Sequence, residues 1–313
     1  MVLQVLDRRT VLYGLSGLAA LAATGVRAGV LPPGFVALGD WGRDGQMRQT
    51  DVAVAMAGAA AELDSRFVIS AGDNFYPSGV QSVDDAQWRS SFEDVYAAPS
   101  LQTPWYVALG NHDYRGVPHA QVAYSRVSHR WRMPSRFYTV SGAEVGVPGL
   151  QIFFLDTTPL VADFDEQVQQ LMHGHRPTHR PGRQVAWLKG ALERSKAPWK
   201  IVVGHHPIYS GGRHGGSPEL AARISPLLEA HGVQAYICGH DHILQHTRVG
   251  RTDHICTGAG ASAGRADDVE GTLFSHSEPG FAMFTLEADT LGLEFRDFKG
   301  RSLYRAALPR ARA

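Results

Sequence analysis

The stretch 72-GDNFYPSGV-80 follows a short apolar run at residues 67–71 that is typical of a buried strand. It begins with a glycine and a carboxylate, Asp73, and three residues later it carries an aromatic hydroxyl, Tyr76. Four further blocks place metal-binding side chains directly after an apolar run: LGDWG with Asp40, LGNHD with Asn111, VVGHHP with His205, and CGHDH with His240 and His242. Because the strand ends of an open α/β sheet converge at one edge, the five blocks predict an α/β fold with one shared site.

The rest of the chain favours a mixed α/β architecture. The pattern predicts strands at 35–39, 67–71, 105–109, 151–155, 201–203 and 235–238, and helices at 46–63, 84–97, 184–195 and 218–230. After residue 245 it changes to short strands joined by tight turns, which predicts a β meander.

Composition limits the kinds of partner. The chain has 313 residues, 44% hydrophobic and 19% charged, which is typical of a soluble globular protein with a large core. Thirty basic and thirty acidic residues cancel, so no electrostatic footprint for nucleic acid is present. Cys238 and Cys256 are expected to be buried thiols on neighbouring strands, although the sequence leaves their pairing open.

Residues 1–28 have the pattern of an export signal. Arg8 and Arg9 precede a run of small apolar residues that is too short and too weak for a comfortable membrane span. This predicts a cleavable twin-arginine signal, a periplasmic or secreted protein without stable membrane insertion, and a single catalytic domain at 29–313. An amphipathic N-terminal anchor is the alternative. The polar stretch 162–183 is predicted to be an exposed loop, whose His173, His175 and His179 are more typical of solvent-exposed side chains than of a third metal site.

Each of the five blocks also has a purely structural alternative. Asp40 and Asp73 could be turn carboxylates, Asn111 could cap a loop, and any one histidine could be an ordinary polar residue. Their joint occurrence after strands favours a metal site instead. Two metal ions that clamp one phosphoryl group need a carboxylate that bridges them, and Asp73 is the candidate for that bridge.

The blocks together resemble those of the metallophosphoesterases, and within them the small purple acid phosphatases of the tartrate-resistant type. The matching stretches are GDWG, GDNFY-x-x-GV, GNHD, GH-x-P-x-x-S and CGHDH-x-LQ, followed by TGAG and a closing LPR, and they run from residue 35 to residue 310. The resemblance implies a four-layer α/β/β/α sandwich, in which two mixed sheets are flanked by helices. It also implies hydrolysis of phosphate monoesters at mildly acidic pH by attack of metal-bound hydroxide.

Tyr76 separates this chain from most of the superfamily. Metallophosphoesterases commonly begin with D-x-H, whose histidine binds the first metal, but Gly42 stands at that position here. In purple acid phosphatases a tyrosine of the GDNFY block replaces that histidine. The resemblance therefore implies a ferric site and a second site for a divalent ion (Fe, Zn or Mn). The ferric ligands would be Asp40, Asp73, Tyr76 and His242, and the divalent ligands Asp73, Asn111, His205 and His240.

The resemblance implies further roles around the metals. His112 fits the histidine that hydrogen-bonds the phosphoryl group or protonates the leaving oxygen, Asp113 could orient it, and His214 falls where the family has a second such histidine. His206 replaces a tyrosine of the animal relatives and is interpreted either as a residue that supports the ligands from behind or as a residue at the rim of the site.

We expect a monomer that acts on small phosphorylated substrates. Three alternatives remain open on the same residues: a phosphodiesterase, a redox-active di-iron enzyme with peroxidase-like activity, and a non-enzymatic phosphate- or metal-binding protein.

Overall fold

The computed structural model describes residues 32–161 and 181–310. The predicted signal at 1–28 and the three histidines of the predicted loop lie outside these ranges, so those expectations stay predictions. The bounds of the predicted domain at 29–313 also stay a prediction.

Within the described residues, the strands form two seven-stranded mixed sheets. The first has the order β14-β13-β12-β1-β2-β3-β4 and consists of β1 (Gly34–Leu38), β2 (Val68–Ser70), β3 (Trp105–Val107), β4 (Trp131–Arg132), β12 (Gly280–Leu286), β13 (Thr290–Asp297) and β14 (Ser302–Pro309). The second has the order β11-β9-β10-β8-β7-β6-β5 and consists of β5 (Tyr138–Ser141), β6 (Leu150–Phe154), β7 (Trp199–Val203), β8 (Ala235–Cys238), β9 (Leu244–Val249), β10 (Thr252–Thr257) and β11 (Thr272–His276).

Five α-helices accompany the sheets in the described ranges: α1 (Gln49–Leu63), α2 (Pro118–Tyr124), α3 (Pro181–Arg194), α4 (Pro218–Arg223) and α5 (Ser225–Ala230). Helix α1 shares one buried apolar cluster with β1 and with the inward-facing residues of the second sheet. Helices α3, α4 and α5 share another with the opposite face of that sheet. The predicted sandwich of two mixed sheets flanked by helices is thereby confirmed.

Alternation along the second sheet separates the two apolar layers. Ile152 and Phe154 of β6 join the cluster between the sheets, whereas Phe153 between them joins the helices outside. This follows from the two-residue period of a strand, which sends neighbouring side chains to opposite faces. The central strands are covered on both faces, which explains why their sequences are continuously apolar rather than alternating.

Two predicted helices differ from the structure. A π-helix, Trp88–Glu93, forms within 84–97 in place of an α-helix. It begins late because the Asp85 carboxylate accepts hydrogen bonds from the backbone N–H groups of Gln81 and Gln87 and holds the start of this segment in a turn. The predicted helix 218–230 is divided at Ile224 into α4 and α5. Pro226 has no N–H to donate to the carbonyl four residues earlier, so a continuous helix would lose that bond.

The cysteine prediction is confirmed. Cys238 of β8 and Cys256 of β10 are register partners on adjacent parallel strands, and both are buried free thiols. No helix in the described part of the chain is long and apolar enough to cross a membrane.

Candidate metal centre

The predicted ligands lie at the C-terminal ends of strands from both sheets. Asp40, Asp73 and Asn111 follow β1, β2 and β3 of the first sheet, and His205 and His240 follow β7 and β8 of the second. These strands run parallel within their sheets, so their carboxyl ends share an edge. The structure thus brings together all seven side chains that the sequence singled out as ligands.

The ligands form two clusters, and Tyr76 lies in the middle of the first one, together with Asp40, Asp73 and His242. Its hydroxyl lies 2.8 Å from Asp40 Oδ1, 2.8 Å from Asp73 Oδ2 and 3.1 Å from His242 Nε2. Asp40, Asp73 and Tyr76 are buried, and His242 is partly exposed. Four oxygen and nitrogen donors therefore meet at one point, and they are the four side chains of the expected ferric site.

Asn111 lies in the middle of the second cluster, between His205 and His240. Its Oδ1 lies 3.2 Å from His205 Nε2 and 3.0 Å from His240 Nδ1, and His205 Nε2 is 3.5 Å from Asp73 Oδ1. Asp73 thus contributes one carboxylate oxygen to each cluster, as a bridging ligand must.

The hydrogen bonds around His205 show why a cation fits here. Its Nδ1 lies 2.9 Å from the carbonyl oxygen of Ala71, so this nitrogen carries the proton that it donates. In the neutral ring, Nε2 then presents a lone pair to the oxygens of Asn111 and Asp73. Electron pairs that face each other in a buried site repel unless a proton or a metal ion lies between them. The donor set therefore suits a metal ion.

The loops hold the carboxylates in strained positions. Asp40, Asp73 and His240 have positive φ angles of 61°, 49° and 69°, which non-glycine residues seldom adopt. Backbone N–H groups fix both carboxylates: His240 donates to Asp40 Oδ2 at 2.9 Å, and His112 donates to Asp73 Oδ1 at 2.7 Å. Strain of this kind persists where the surrounding structure enforces it, and it is concentrated at functional sites.

The charges of the cluster are strongly coupled. Burial would raise the pKa of Asp73, but the neighbouring imidazoles, His205 foremost, outweigh it and hold this pKa below its usual range. Burial would lower the pKa of His205, whereas the Asp73 and Asp40 carboxylates raise it to about 10. Burial, together with these same carboxylates, raises the pKa of the Tyr76 hydroxyl well above its usual value. The site thus favours a cation, and a proton occupies that role when no metal is bound.

Three further histidines surround the ligands. His112 donates from Nδ1 to the Pro77 carbonyl at 2.8 Å, and its Nε2 lies 4.0 Å from Asp73 Oδ2. His214 is exposed, and its ring centroid lies 4.5 Å from that of His240. His206 is buried, with Nδ1 2.9 Å from the Thr157 hydroxyl, and burial followed by the charge of His205 lowers its pKa well below the usual value.

Contrary to the expectation from the sequence, the Asp113 carboxylate does not contact the ring of His112. Its buried carboxylate accepts hydrogen bonds from Asn74, from the N–H of Gly110 and from Gln121. Among the described residues, none of its hydrogen bonds goes to the His112 ring, whose Nδ1 faces Pro77 instead. The adjacent residue is turned away because the short helical turn at Asp113–Arg115 directs consecutive side chains to different sides.

Two supporting residues were missed in the sequence. Ser262 lies 3.0 Å from His242 Nδ1, and the Thr157 hydroxyl accepts from the backbone N–H groups of His205 and His206. The sequence pattern could have indicated Thr157 as a residue of the site, since it follows an apolar run as the ligands do. It could not have indicated Ser262, because its partner is in another strand–loop unit.

A cavity of about 490 Å³ opens over the two clusters. Asp73, Tyr76, Asn111, His240 and His242 line its floor together with His112, His206 and His214, and Arg43, Arg115 and Glu219 also line it. Its volume suits a small ligand.

Comparison with known proteins places these features in a family. Residues 34–244 match the family model described as calcineurin-like phosphoesterase. The chain is 37% identical over 281 residues to purple acid phosphatase 4 of Arabidopsis thaliana, covering 87% of this chain and 82% of that protein. It is 36% identical over 297 residues to tartrate-resistant acid phosphatase type 5 of Oryctolagus cuniculus, covering 88% of this chain and 90% of that protein.

Solved structures share the fold. GAP50, described as the anchor in the inner membrane complex of Plasmodium, superposes with a TM-score of 0.77 at 26% identity over 90% of both chains. The purple acid phosphatase PPD1 of Lupinus luteus superposes with a TM-score of 0.65 at 17% identity, covering 89% of this chain and 54% of that one.

Proposed function

Because this chain belongs to the calcineurin-like phosphoesterases and, within them, to the purple acid phosphatases, we propose that it is an acid phosphatase that hydrolyses phosphate monoesters at a dinuclear metal centre. The observation that carries the proposal is the position of the Tyr76 hydroxyl, in contact with Asp40, Asp73 and His242 at once. A tyrosine in a generic surface loop would have no reason to be buried among two carboxylates and an imidazole.

The metals would be Fe(III) and a divalent ion, Fe, Zn or Mn. Asp40, Asp73, Tyr76 and His242 would hold the ferric ion, and Asp73, Asn111, His205 and His240 the other. When bound, the two cations supply positive charge for the phosphoryl oxygens of the transition state and acidity that makes water a nucleophile near neutral or acidic pH.

His112 is proposed to protonate the leaving oxygen. Its Nδ1–H is committed to the Pro77 carbonyl, which fixes the ring and leaves Nε2 beside the Asp73 carboxylate at the edge of the cavity. In the protonated ring, Nε2 carries a proton within reach of an oxygen in the cavity, and burial lowers the pKa at which His112 gives that proton up. His214 lies on the glycine-rich loop of the cavity wall, where its ring can contact the ester oxygens.

The first test is a visible spectrum combined with metal analysis of protein purified without chelator. We expect a purple wild type with about two metal ions per chain, as the family's dinuclear site requires. Tyr76→Phe should lose the colour, because the absorption arises from charge transfer between phenolate and ferric iron. Tyr106→Phe is the matched control, since the Tyr106 hydroxyl forms no hydrogen bond to a described residue. A colourless wild type that holds only zinc or manganese, with Tyr76→Phe unchanged, would refute the iron–tyrosinate site.

Two further expectations are proposed on the sequence alone. Arg8 and Arg9 support export by the twin-arginine route to the periplasm or the exterior, and residues 1–28 lie outside the described ranges. Replacing both by lysine should leave the protein in the cytoplasm in a fractionation experiment. We also propose that the protein is a monomer, which light scattering would measure directly.

A further inference from the structure

Two arginines of the cavity have no part in the chemistry proposed above. Arg43 follows Asp40 by three residues, and Arg115 follows His112 by three. Both are half-buried and both line the cavity with Asp73. Within residues 32–161 and 181–310, neither guanidinium group forms a hydrogen bond or an ion pair, whereas those of Arg130 and Arg296 do. Guanidinium groups that line a cavity with unused N–H donors can bind an anionic ligand there.

The position of Arg43 is set by the ring of Tyr76. Its guanidinium carbon lies 3.7 Å from the centroid of that ring, which is the geometry of a stacked cation–π contact. The five N–H groups of a guanidinium lie in its plane, so stacking occupies one face and leaves the edge for an acceptor. Its Nε is buried and has no hydrogen-bond partner in the described part of the chain. Arg43 is thus oriented next to the candidate ferric site with its donors unused.

Arg115 is tied to the residue that we propose as the proton donor. It ends the short turn Asp113–Arg115, and its backbone N–H donates to the His112 carbonyl at 3.0 Å. The two side chains therefore belong to one rigid turn at the cavity wall. Among the described residues, Glu219 is the only carboxylate besides Asp73 that lines the cavity, and it accepts a hydrogen bond from the Ser217 hydroxyl. Apart from the candidate metal ligand Asp73, the cavity wall therefore has one negative charge, on Glu219, against the two positive charges of Arg43 and Arg115.

We propose that Arg43 and Arg115 bind a second anionic group, a carboxylate or phosphate on the leaving group of the substrate. This inference rests on the proposed function. In the hydrolysis, the oxygen of water forms a new bond to phosphorus, and the ester P–O bond breaks with its electron pair staying on the leaving oxygen. That oxygen takes a proton, which gives inorganic phosphate and a free alcohol. The phosphoryl group is held over the ligand clusters, so the leaving group lies against the cavity wall, where the two guanidinium groups can hold an anion through paired N–H groups.

The test compares two esters that differ only in charge. 3-Carboxyphenyl phosphate carries a carboxylate, and 3-carbamoylphenyl phosphate has a neutral amide of nearly the same shape. We expect the metal-loaded wild type to prefer the carboxylate in kcat/KM, mainly through a lower KM. Arg43→Gln and Arg115→Gln should each reduce this preference by roughly 10- to 100-fold, the effect of losing a hydrogen bond between charged groups. Arg126→Gln removes an exposed arginine away from the cavity and should keep the wild-type preference.

The outcomes separate this inference from the proposed function. A metal-loaded wild type that cleaves neither ester refutes the phosphatase itself. A wild type that cleaves both, with the same preference in all variants, overturns only the role of the arginines. If Arg43→Gln lowers activity on both esters by the same factor, Arg43 acts through Tyr76 and its proposed role in binding is wrong.

A binding measurement removes the dependence on leaving-group chemistry. Methylenebisphosphonate carries a second anionic group, whereas methylphosphonate does not. We expect the ratio of their inhibition constants against p-nitrophenyl phosphate to favour the bisphosphonate in the wild type and to fall by roughly tenfold or more in Arg43→Gln and in Arg115→Gln. Equal ratios in wild type and both variants would overturn the proposal.

Discussion

The carboxylate of Asp113 connects two loops of the site and a helix through hydrogen bonds. It joins the GDNFY loop, through Asn74, to the GNHD loop, through Gly110, and to α2, through Gln121. Burial, followed by the charge of Asp73, raises its pKa to about 7. A side chain with this many donors around it contributes to the shape of the site rather than to its chemistry.

We predict that Asp113→Asn lowers the free energy of unfolding by roughly 2–3 kcal/mol, because one amide N–H₂ would face backbone and side-chain donors. Urea unfolding measures this. The pH profile of kcat/KM should keep its shape, since His112 keeps its bond to Pro77. Asp267→Asn, at an exposed carboxylate paired with Arg265, is the control and should change stability by about 0.5 kcal/mol or less. A shifted pH profile without loss of stability would restore Asp113 as a partner of His112.

Asp156 gives the fold a dependence on pH away from the metal ligands. It is buried after β6, where its Oδ2 accepts a hydrogen bond from the Tyr114 hydroxyl. Burial raises its pKa to about 6, against the opposing effects of Tyr114 and Arg136. The native state therefore favours the protonated carboxyl more than the unfolded chain does.

Because its pKa is higher in the native state than in the unfolded chain, Asp156 stabilises the fold less as the pH rises. The contribution of Asp156 is fully present below about pH 4 and is lost as the pH rises through about 6, by about 3 kcal/mol in total. We predict that Asp156→Asn, which cannot ionise, flattens this part of the stability curve. Urea unfolding of both proteins at several pH values between 4 and 7 measures the difference. Parallel curves would show that the carboxyl titrates alike in the native and unfolded states.

At the scale of elements, the turn after β3 depends on a glycine. A Cβ atom at Gly110 would lie 2.2 Å from Asp73 Oδ1 and 2.4 Å from the Asp73 backbone nitrogen, so the bridging carboxylate would have to move. By contrast, a Cβ atom at Gly58, in α1, would meet nothing within 4 Å. The two positions form a matched pair.

We predict that Gly110→Ala loses metal and at least about 100-fold in activity, since ligand positions within the site must be kept to fractions of an ångström. Gly58→Ala should instead stabilise the protein by about 1 kcal/mol through the higher helix propensity of alanine. Metal analysis and urea unfolding report on both. Full metal content and activity in Gly110→Ala would mean that the turn yields without disturbing Asp73.

Some of these elements and contacts could be predicted from the sequence, and others could not. Strands β1, β2, β6 and β8 could be predicted within one or two residues because they are continuous apolar runs buried on both faces. Strand β4 has two residues, too few to show any period. The ligands could be predicted because each follows a strand, whereas the Ser262–His242 contact joins residues from separate loops and leaves no local pattern. The hydrogen bonds of Asp113 to the neighbouring loops could not be predicted, because the spacing of residues along the sequence does not define the direction of one side chain.

At the scale of the whole molecule, the site gathers negative charge in the interior. The buried carboxylates of Asp40 and Asp73 surround a buried phenol, and metal ions would balance them. Binding to the native state alone stabilises it by RT ln(1 + [L]/Kd), about 4 kcal/mol when the free ion is at 1,000 times its Kd.

We therefore predict that removing the metals with a chelator lowers the melting temperature by several degrees and that adding them back restores it. In Asp73→Asn, which lacks the carboxylate shared by both clusters, the chelator should have a much smaller effect. Equal melting temperatures of wild type with and without chelator would show that metal ions contribute nothing to stability.

The order of strands in the first sheet has a consequence for biosynthesis. Strand β1 pairs with β2 on one side and with β12 on the other, and β12 begins at Gly280, after every candidate ligand. A ribosome adds about 5–20 residues per second, so β1 has one open edge until β12, more than 200 residues later, has emerged. An open edge invites pairing with other chains, and a nascent chain of this protein is therefore a natural client for chaperones. A sandwich closed around the candidate ligands therefore forms only after β12 has docked on β1, and any metal bound in the closed site would enter after that step.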